Sequence, residues 1–269
     1  MLKKISILGC GWLGLPLGSE LVKQGYAVLG STTRKEKFGA LKANGIQPFQ
    51  IQLPTLTAAN APFFEADVLI LNIPPGRKNP NVVQDHLRDV KTIVNAVKGG
   101  SIRKLIFVSS TGVFGNSNGV VTENTPRDPI RNSGKALVGV EDYLRQQTWL
   151  QTTIVRMAGL VGGNRKAGRF FAGKKNVPMG NAPVNMVHRT DCINIVSQLM
   201  RMQLWGDTFN VCADKHPTKR AFYTAQAIKD GLEPPTFLDT DNLQFKLISN
   251  AKVKQTLDYE LVYPDPMKF

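Results

Sequence analysis

Residues 5–18 read ISILGCGWLGLPLG, and Gly9, Gly11 and Gly14 within them keep the spacing G-x-G-x-x-G. After a buried strand and before a helix, each glycine has a separate task. The first allows a tight turn, the second lets the backbone approach a pyrophosphate, and the third lets the helix pack closely on the strand. With Trp12 and Leu13 between them, the glycines open a helix whose first N–H groups face an anion. The pattern predicts a dinucleotide-binding turn, with a purely structural glycine turn as the alternative. At the end of the next strand, where an NAD-selective fold places an acid about 20 residues on, the chain reads Ser31, Thr32, Thr33 and Arg34, then Lys35. No acid precedes Glu36. Hydroxyls and cations suit a 2′-phosphate, which a carboxylate would repel, so the stretch favours NADP over NAD. The same hydroxyls also suit a helix N-cap, and both roles are compatible.

These residues need a scaffold, and the apolar pattern supplies one. KISILG (4–9), YAVLGSTT (26–33), QPFQIQL (47–53), ADVLILNIPPG (66–76), RKLIFVSST (103–111) and QTTIVRMAGLVG (151–162) read as strands. Segments 13–25, 35–45, 86–100 and 135–147 have helical periodicity. Apolar strands alternating with helices predict a parallel sheet covered on both faces. The expected fold is a Rossmann-type, doubly wound α/β domain over residues 1–160. Residues 161–269 form a small mixed C-terminal substrate-binding part, whose strand near 208–214 returns to the main sheet. Pro74 and Pro75, where the fourth strand stops, and Ser109 join the expected cofactor-binding set.

Composition narrows the class further. The chain has 269 residues, 42% hydrophobic and 20% charged, ordinary for a soluble globular protein. No stretch approaches the roughly 18 apolar residues that span a membrane, and the start reads as a first strand rather than a signal, so a cytoplasmic protein is expected. Cys10, Cys192 and Cys212 are far apart and lack C-x-x-C spacing. They fit reduced thiols, not a disulfide frame or a metal site. The formal charge of +14 favours anionic ligands or is a solvated surface bias. GGNRKAGRFFAGKK (162–175) concentrates five cations, and a mobile loop over an anionic small molecule is expected there. A nucleic-acid partner is the weaker reading, because no nucleic-acid module is visible.

At LIFVSSTGVFG (105–115) the chain begins to resemble the short-chain dehydrogenase/reductase superfamily, specifically its extended and atypical NAD-dependent epimerase/dehydratase members. GVVTENTPRDP (119–129), IVRMAGLVGGNR (154–165), NMVHRTDC (185–192) and FNVCADKHPTKRAFY (209–223) are similar to further segments of that group, in order. The glycine spacing suits its atypical branch. The resemblance implies a hydride-transferring oxidoreductase or epimerase in which a Tyr, helped by a Lys four residues later, moves a proton. That pair is absent. Where it should open a helix the chain reads SGKAL, with Ser133 and Leu137 at the two places. Four residues after Tyr26, Tyr143, Tyr223, Tyr259 and Tyr263 stand Gly30, Gln147, Ala227, Tyr263 and Met267. Ser110 matches the substrate-orienting hydroxyl, or else caps the next turn. Lys135 reaches a nicotinamide ribose if the helix register shifts, or else is an exposed first-turn lysine. Glu123, Arg165 and His188 are the expected substrate contacts; Glu123 is otherwise a solvated loop carboxylate and His188 a structural histidine. The leading expectation is an NADP-binding oxidoreductase or epimerase-like protein acting on an anionic, phosphorylated or nucleotide-linked small molecule. A non-catalytic NAD(P) sensor or scaffold is the alternative that the missing pair supports.

Overall fold

The computed structural model describes residues 2–76, 79–239 and 242–269. In chain order the elements begin with β1 (Lys4–Leu8), α1 (Gly14–Lys23), β2 (Ala27–Thr32), α2 (Phe38–Ala43), β3 (Ile46–Gln50) and β4 (Val68–Leu71). Next come α3 (Val82–Val97), β5 (Lys104–Ser110), β6 (Val120–Val121), α4 (Asn132–Arg145), β7 (Gln151–Met157) and β8 (Gly159–Val161). The last are β9 (Met186–His188), α5 (Arg189–Arg201), β10 (Thr208–Val211), α6 (Lys219–Lys229), β11 (Leu247–Ile248) and α7 (Ala251–Leu257).

Seven strands form one sheet in the order β10-β7-β5-β4-β1-β2-β3. Ile5 lies between Val28 of β2 and Val68 of β4, and β4 continues in parallel to β5 with Val68 opposite Lys104. Ile5, Ile7 and all of β4 are buried, as they must be in a parallel sheet with helices on both faces. Chain direction across the sheet reverses between β1 and β4. That is the topological switch point, and a crevice opens there at the carboxyl ends of the strands. Leu8 pairs with Leu71, so Gly9 and Asn72 are the first residues beyond the sheet on either side of it.

Two expected elements differ. The strand expected over 151–162 stops at Met157, and Gly159–Val161 pairs instead with β9 in a small separate sheet. Residues 162–175 are packed in their middle and exposed at Asn164, Lys166, Arg169, Lys174 and Lys175. They fold as a short 3-10 turn at Ala167–Phe170, where a side chain at Gly168 would meet the Gln226 carbonyl at 2.5 Å. Phe170 and Phe171 pack on a satellite core of Val161, Ala167, Val184, Met186, Phe222 and Tyr223. The two half-buried phenylalanines remove apolar surface from water while the cations around them stay solvated.

The chain divides into two compact units that interleave along the sequence. One comprises 1–113, 129–155 and 196–208; the other comprises 114–128, 156–195 and 209–269. Among the described residues no helix is long and apolar enough to cross a membrane.

Candidate functional site

The turn from β1 into α1 is held by its neighbours on both sides. The Gly9 N–H donates to Ser31 Oγ at 2.8 Å, and the Cys10 N–H to the Ser31 carbonyl at 2.8 Å. Asn72 Nδ2 donates to the Gly9 carbonyl at 2.9 Å. Gly9 has φ +103°, and a Cβ there would lie 2.5 Å from the Asn72 carbonyl. A Cβ on Gly14 would lie 2.2 Å from the Gly9 carbonyl. Both positions therefore require glycine for the turn itself. Gly11 is different. Its φ is not positive, and a Cβ there would have nothing within 4 Å. Nothing in the protein forbids a side chain at Gly11, and the space beside it is open.

The helix that follows has Leu13 at its N-cap, with no side chain closing its end. At its start the Leu15 N–H donates to the Gly11 carbonyl at 3.1 Å and Pro16 has no N–H, so the donors left for an anion are those of Leu13 and Gly14. The residues present thus fit the pyrophosphate of a dinucleotide: bare backbone at Gly11, a helix N-terminus without a side-chain cap, and no carboxylate in the turn.

Beside the turn is a cavity of about 390 Å³ lined by Leu8, Gly9, Ser31, Thr32, Thr33, Ile51, Leu53, Ile73, Pro74, Gly76, Asn79, Val82, Asp85, His86 and Asp89. Five residues expected to hold the cofactor meet in its wall: Gly9, Ser31, Thr32, Thr33 and Pro74. Arg34 and Pro75 do not line it. Arg34 is exposed just beyond β2, and the Thr32 hydroxyl accepts its N–H at 3.3 Å. Ser31 is buried and bears on the turn by accepting the Gly9 N–H. Asp85 and Asp89 are bound to Arg88 at 2.8 and 3.2 Å, and Asn79 donates to Asp85 at 2.7 Å. Burial pushes the Asp89 carboxyl above its usual range, with Arg88 opposing. Burial also drives the His86 imidazole down to about 4.

Ser109 is buried and donates to the equally buried Glu141 at 2.7 Å, a bond between β5 and α4. Ser110 is half-buried, and its hydroxyl accepts the Gly112 N–H at 3.1 Å, closing the turn after β5. A Cβ on Gly134 would lie 2.3 Å from the Gly112 carbonyl, so the first turn of α4 rests directly on that turn. Lys135 is exposed on this first turn. Leu137, where the family lysine would stand, is buried core.

The expected substrate contacts all lie in the second unit. Glu123 Oε1 accepts the Asn210 N–H at 2.7 Å, while its carbonyl accepts from Arg156, a fully buried cation lying 4.9 Å over the Phe114 ring. Arg165 lies over Phe170 at 5.9 Å. The His188 ring stacks on Tyr263 at 3.8 Å and its Nδ1 accepts the Thr190 N–H at 3.3 Å. Burial moves this imidazole down, with Asp191 opposing. Among the described residues no group of His, Cys, Asp and Glu could hold a metal.

Sequence reasoning missed Asn72, Asp85, His86 and Asp89. Asn72 left one signal, a lone amide ending the apolar run VLIL at a strand's carboxyl end. The other three lie on a helix whose cavity-facing side becomes apparent only when it packs.

A family model described as NAD(P)H-binding matches residues 9–199. The chain is 37% identical to protein YeeZ of Escherichia coli strain K12 over 271 aligned positions, covering 99% of this chain and 98% of that one. Among solved structures it is similar to UDP-glucuronic acid 4-epimerase from Bacillus cereus in complex with UDP-glucuronic acid and NAD. That match has TM-score 0.82 at 16% identity, covering 98% of this chain and 96% of that chain. A functionally unknown conserved protein from Silicibacter pomeroyi DSS matches with TM-score 0.80 at 20% identity, covering 99% and 96%.

Proposed function

The chain belongs to the NAD(P)H-binding family, and from that premise we propose that it is an NADP-dependent oxidoreductase or epimerase-like enzyme of an anionic, nucleotide-linked small molecule. The observation that carries the reading is Gly11: a position whose lack of a side chain neither its backbone angle nor any neighbouring atom explains. A bound pyrophosphate explains it.

Within this reading the chain's own residues have separable tasks. The N–H groups at the start of α1 bind the diphosphate. Thr32, Thr33 and Arg34 select the 2′-phosphate, because this strand end offers hydroxyls and a cation where an acid would repel it. Pro74 and Pro75 carry the chain past the cofactor, and Ser109 holds β5 to α4. The nicotinamide, when bound, supplies or accepts a hydride. Ser110 orients the substrate oxygen, and Lys135, on the first turn of α4, assists it. Glu123, Arg165 and His188 are the proposed substrate contacts. The UDP-glucuronic acid named with the B. cereus epimerase is a model for the substrate class: a sugar carrying a nucleoside diphosphate and a carboxylate.

A second reading, a non-catalytic NAD(P) sensor, is favoured by Leu137. It is an apolar core residue at the place where the resemblance puts the family lysine. Fluorescence titration with NADPH and NADH, followed by a screen of carbonyl compounds and nucleotide sugars, separates the two. NADPH is expected to bind more tightly than NADH, with turnover on some substrate. Binding without turnover on any of them favours the sensor. Failure to bind either nucleotide defeats both.

A further inference from the structure

The first turn of α5 is capped by an imidazole. His188 stands immediately before the helix, and its Nδ1 accepts the N–H of Thr190, the second helical residue, at 3.3 Å. Most helices use Ser, Thr, Asp or Asn for this contact, and those side chains keep their acceptor at every ordinary pH. A histidine keeps it only while the ring is neutral. The imidazolium has two N–H donors and no acceptor, so its Nδ1–H would face the Thr190 N–H. Its charge would also sit at the positive end of the helix.

The cap adjoins a clamp. Asp191, the third residue of α5, accepts from the Tyr259 hydroxyl and from the N–H groups of Val262 and Tyr263. It thereby holds the strap formed by residues 258–269, which follows α7. The strap in turn lays Tyr263 against the His188 ring at 3.8 Å, with Phe269 at 5.5 Å. On the opposite bond of the chain, a Cβ on Gly162 would lie 2.6 Å from His188 Nε2, so the turn after β8 closes on the ring. One imidazole is therefore part of both the helix cap and the seat of the strap. Burial favours its neutral form, Asp191 opposes this, and Arg189 adds to it. From the strap, Tyr263 meets the ring directly, while Asp265 is paired with Lys215 at 3.1 Å. The charged group on the β8 turn is Arg165, which lies over Phe170.

We propose that His188 is a pH-sensitive latch: its protonation uncaps α5, loosens the Asp191 clamp and releases the strap. The proposal stands independently of the dinucleotide reading.

The chain has three histidines, His86, His188 and His216, so long-range proton–nitrogen NMR of the labelled full-length protein follows each ring from about pH 8 to about pH 4.5. Over the same range, exchange protection of the Val262 and Tyr263 amides, corrected for the intrinsic pH dependence of exchange, is expected to fall by about an order of magnitude, the worth of a lost cap. Its midpoint should coincide with the titration of His188. In His188→Asn, which caps a helix without titrating, protection should stay level. Protection that holds while the His188 ring titrates overturns the latch. An equal fall in His188→Asn also overturns it and assigns the loss to Asp191 itself. Where that variant does not fold, the wild-type midpoints decide, and separate midpoints refute the coupling.

Discussion

At the scale of single residues, the three glycines of the turn are not equivalent. Gly14→Ala drives a methyl group into the Gly9 carbonyl and destabilises the fold. Gly11→Ala meets no protein atom. It should leave the thermal midpoint nearly unchanged while weakening NADPH binding about 10- to 100-fold, the loss of one or two charge-assisted hydrogen bonds. Parallel melting curves and fluorescence titrations would show it, and equal loss of stability in both variants would refute the distinction. His86 makes a second prediction. Its folded-state value, about 4, lies below the ordinary 6.5 because burial disfavours the imidazolium, even with Asp85 and Asp89 in the same cavity wall. The unfolded chain therefore binds the proton first as pH falls. The stability that neutral His86 preserves is complete above pH 6.5 and is lost between 6.5 and 4, by up to about 3 kcal/mol. Urea melts across that window should show a steeper decline in the wild type than in His86→Phe.

At the scale of elements, buried carboxylates join segments distant in sequence. Glu141 on α4 receives Ser109 from β5, which ties the strand carrying Ser110 to the helix carrying Lys135. Asp191, fully buried at the start of α5, accepts from the Tyr259 hydroxyl at 2.8 Å and from the Val262 and Tyr263 N–H groups at 2.7 and 3.1 Å. The segment after α7 is thereby clamped to α5, and Tyr263 is brought onto His188. Asp191→Ala removes all three bonds and should cost about 2–4 kcal/mol. Hydrogen exchange at the Val262 and Tyr263 amides should accelerate far more than exchange in β1 or β4. Uniform acceleration would mean that the clamp is not local.

For the molecule as a whole, the formal charge of +14 is partly absorbed by its own surface. Lys174 and Lys219 both lie over Phe171, at 4.9 and 5.0 Å, Arg220 lies over Phe237 at 5.5 Å, and Lys166 pairs with Asp230 at 3.3 Å. Cations placed on aromatic faces keep their charge but lose much of their freedom to follow a polyanion. What remains is a diffuse positive field that attracts small anions and is screened by salt. Raising ionic strength should therefore weaken NADPH more than NADH, because the former carries the extra phosphate. A random DNA duplex should bind weakly at physiological salt. Tight, strongly salt-dependent duplex binding would instead point to a nucleic-acid partner.

The local pattern of the chain was enough to expect a doubly wound sheet and a glycine turn at its head. Strand periodicity, glycine spacing and the missing Tyr/Lys pair depend on neighbours in sequence, and each is legible there. Which glycine the protein itself requires was decided by Asn72, sixty-odd residues away, closing on Gly9 while leaving Gly11 open. The contacts that engage Ser31, Glu123 and His188 were decided in the same way, by the Gly9 N–H, the Asn210 N–H and the Tyr263 ring. The burial of the His86 ring was invisible until α3 packed. Periodicity records which side of an element is apolar. Whether a polar group on that element meets a partner, or is left waiting for one, depends on contacts that only folding creates.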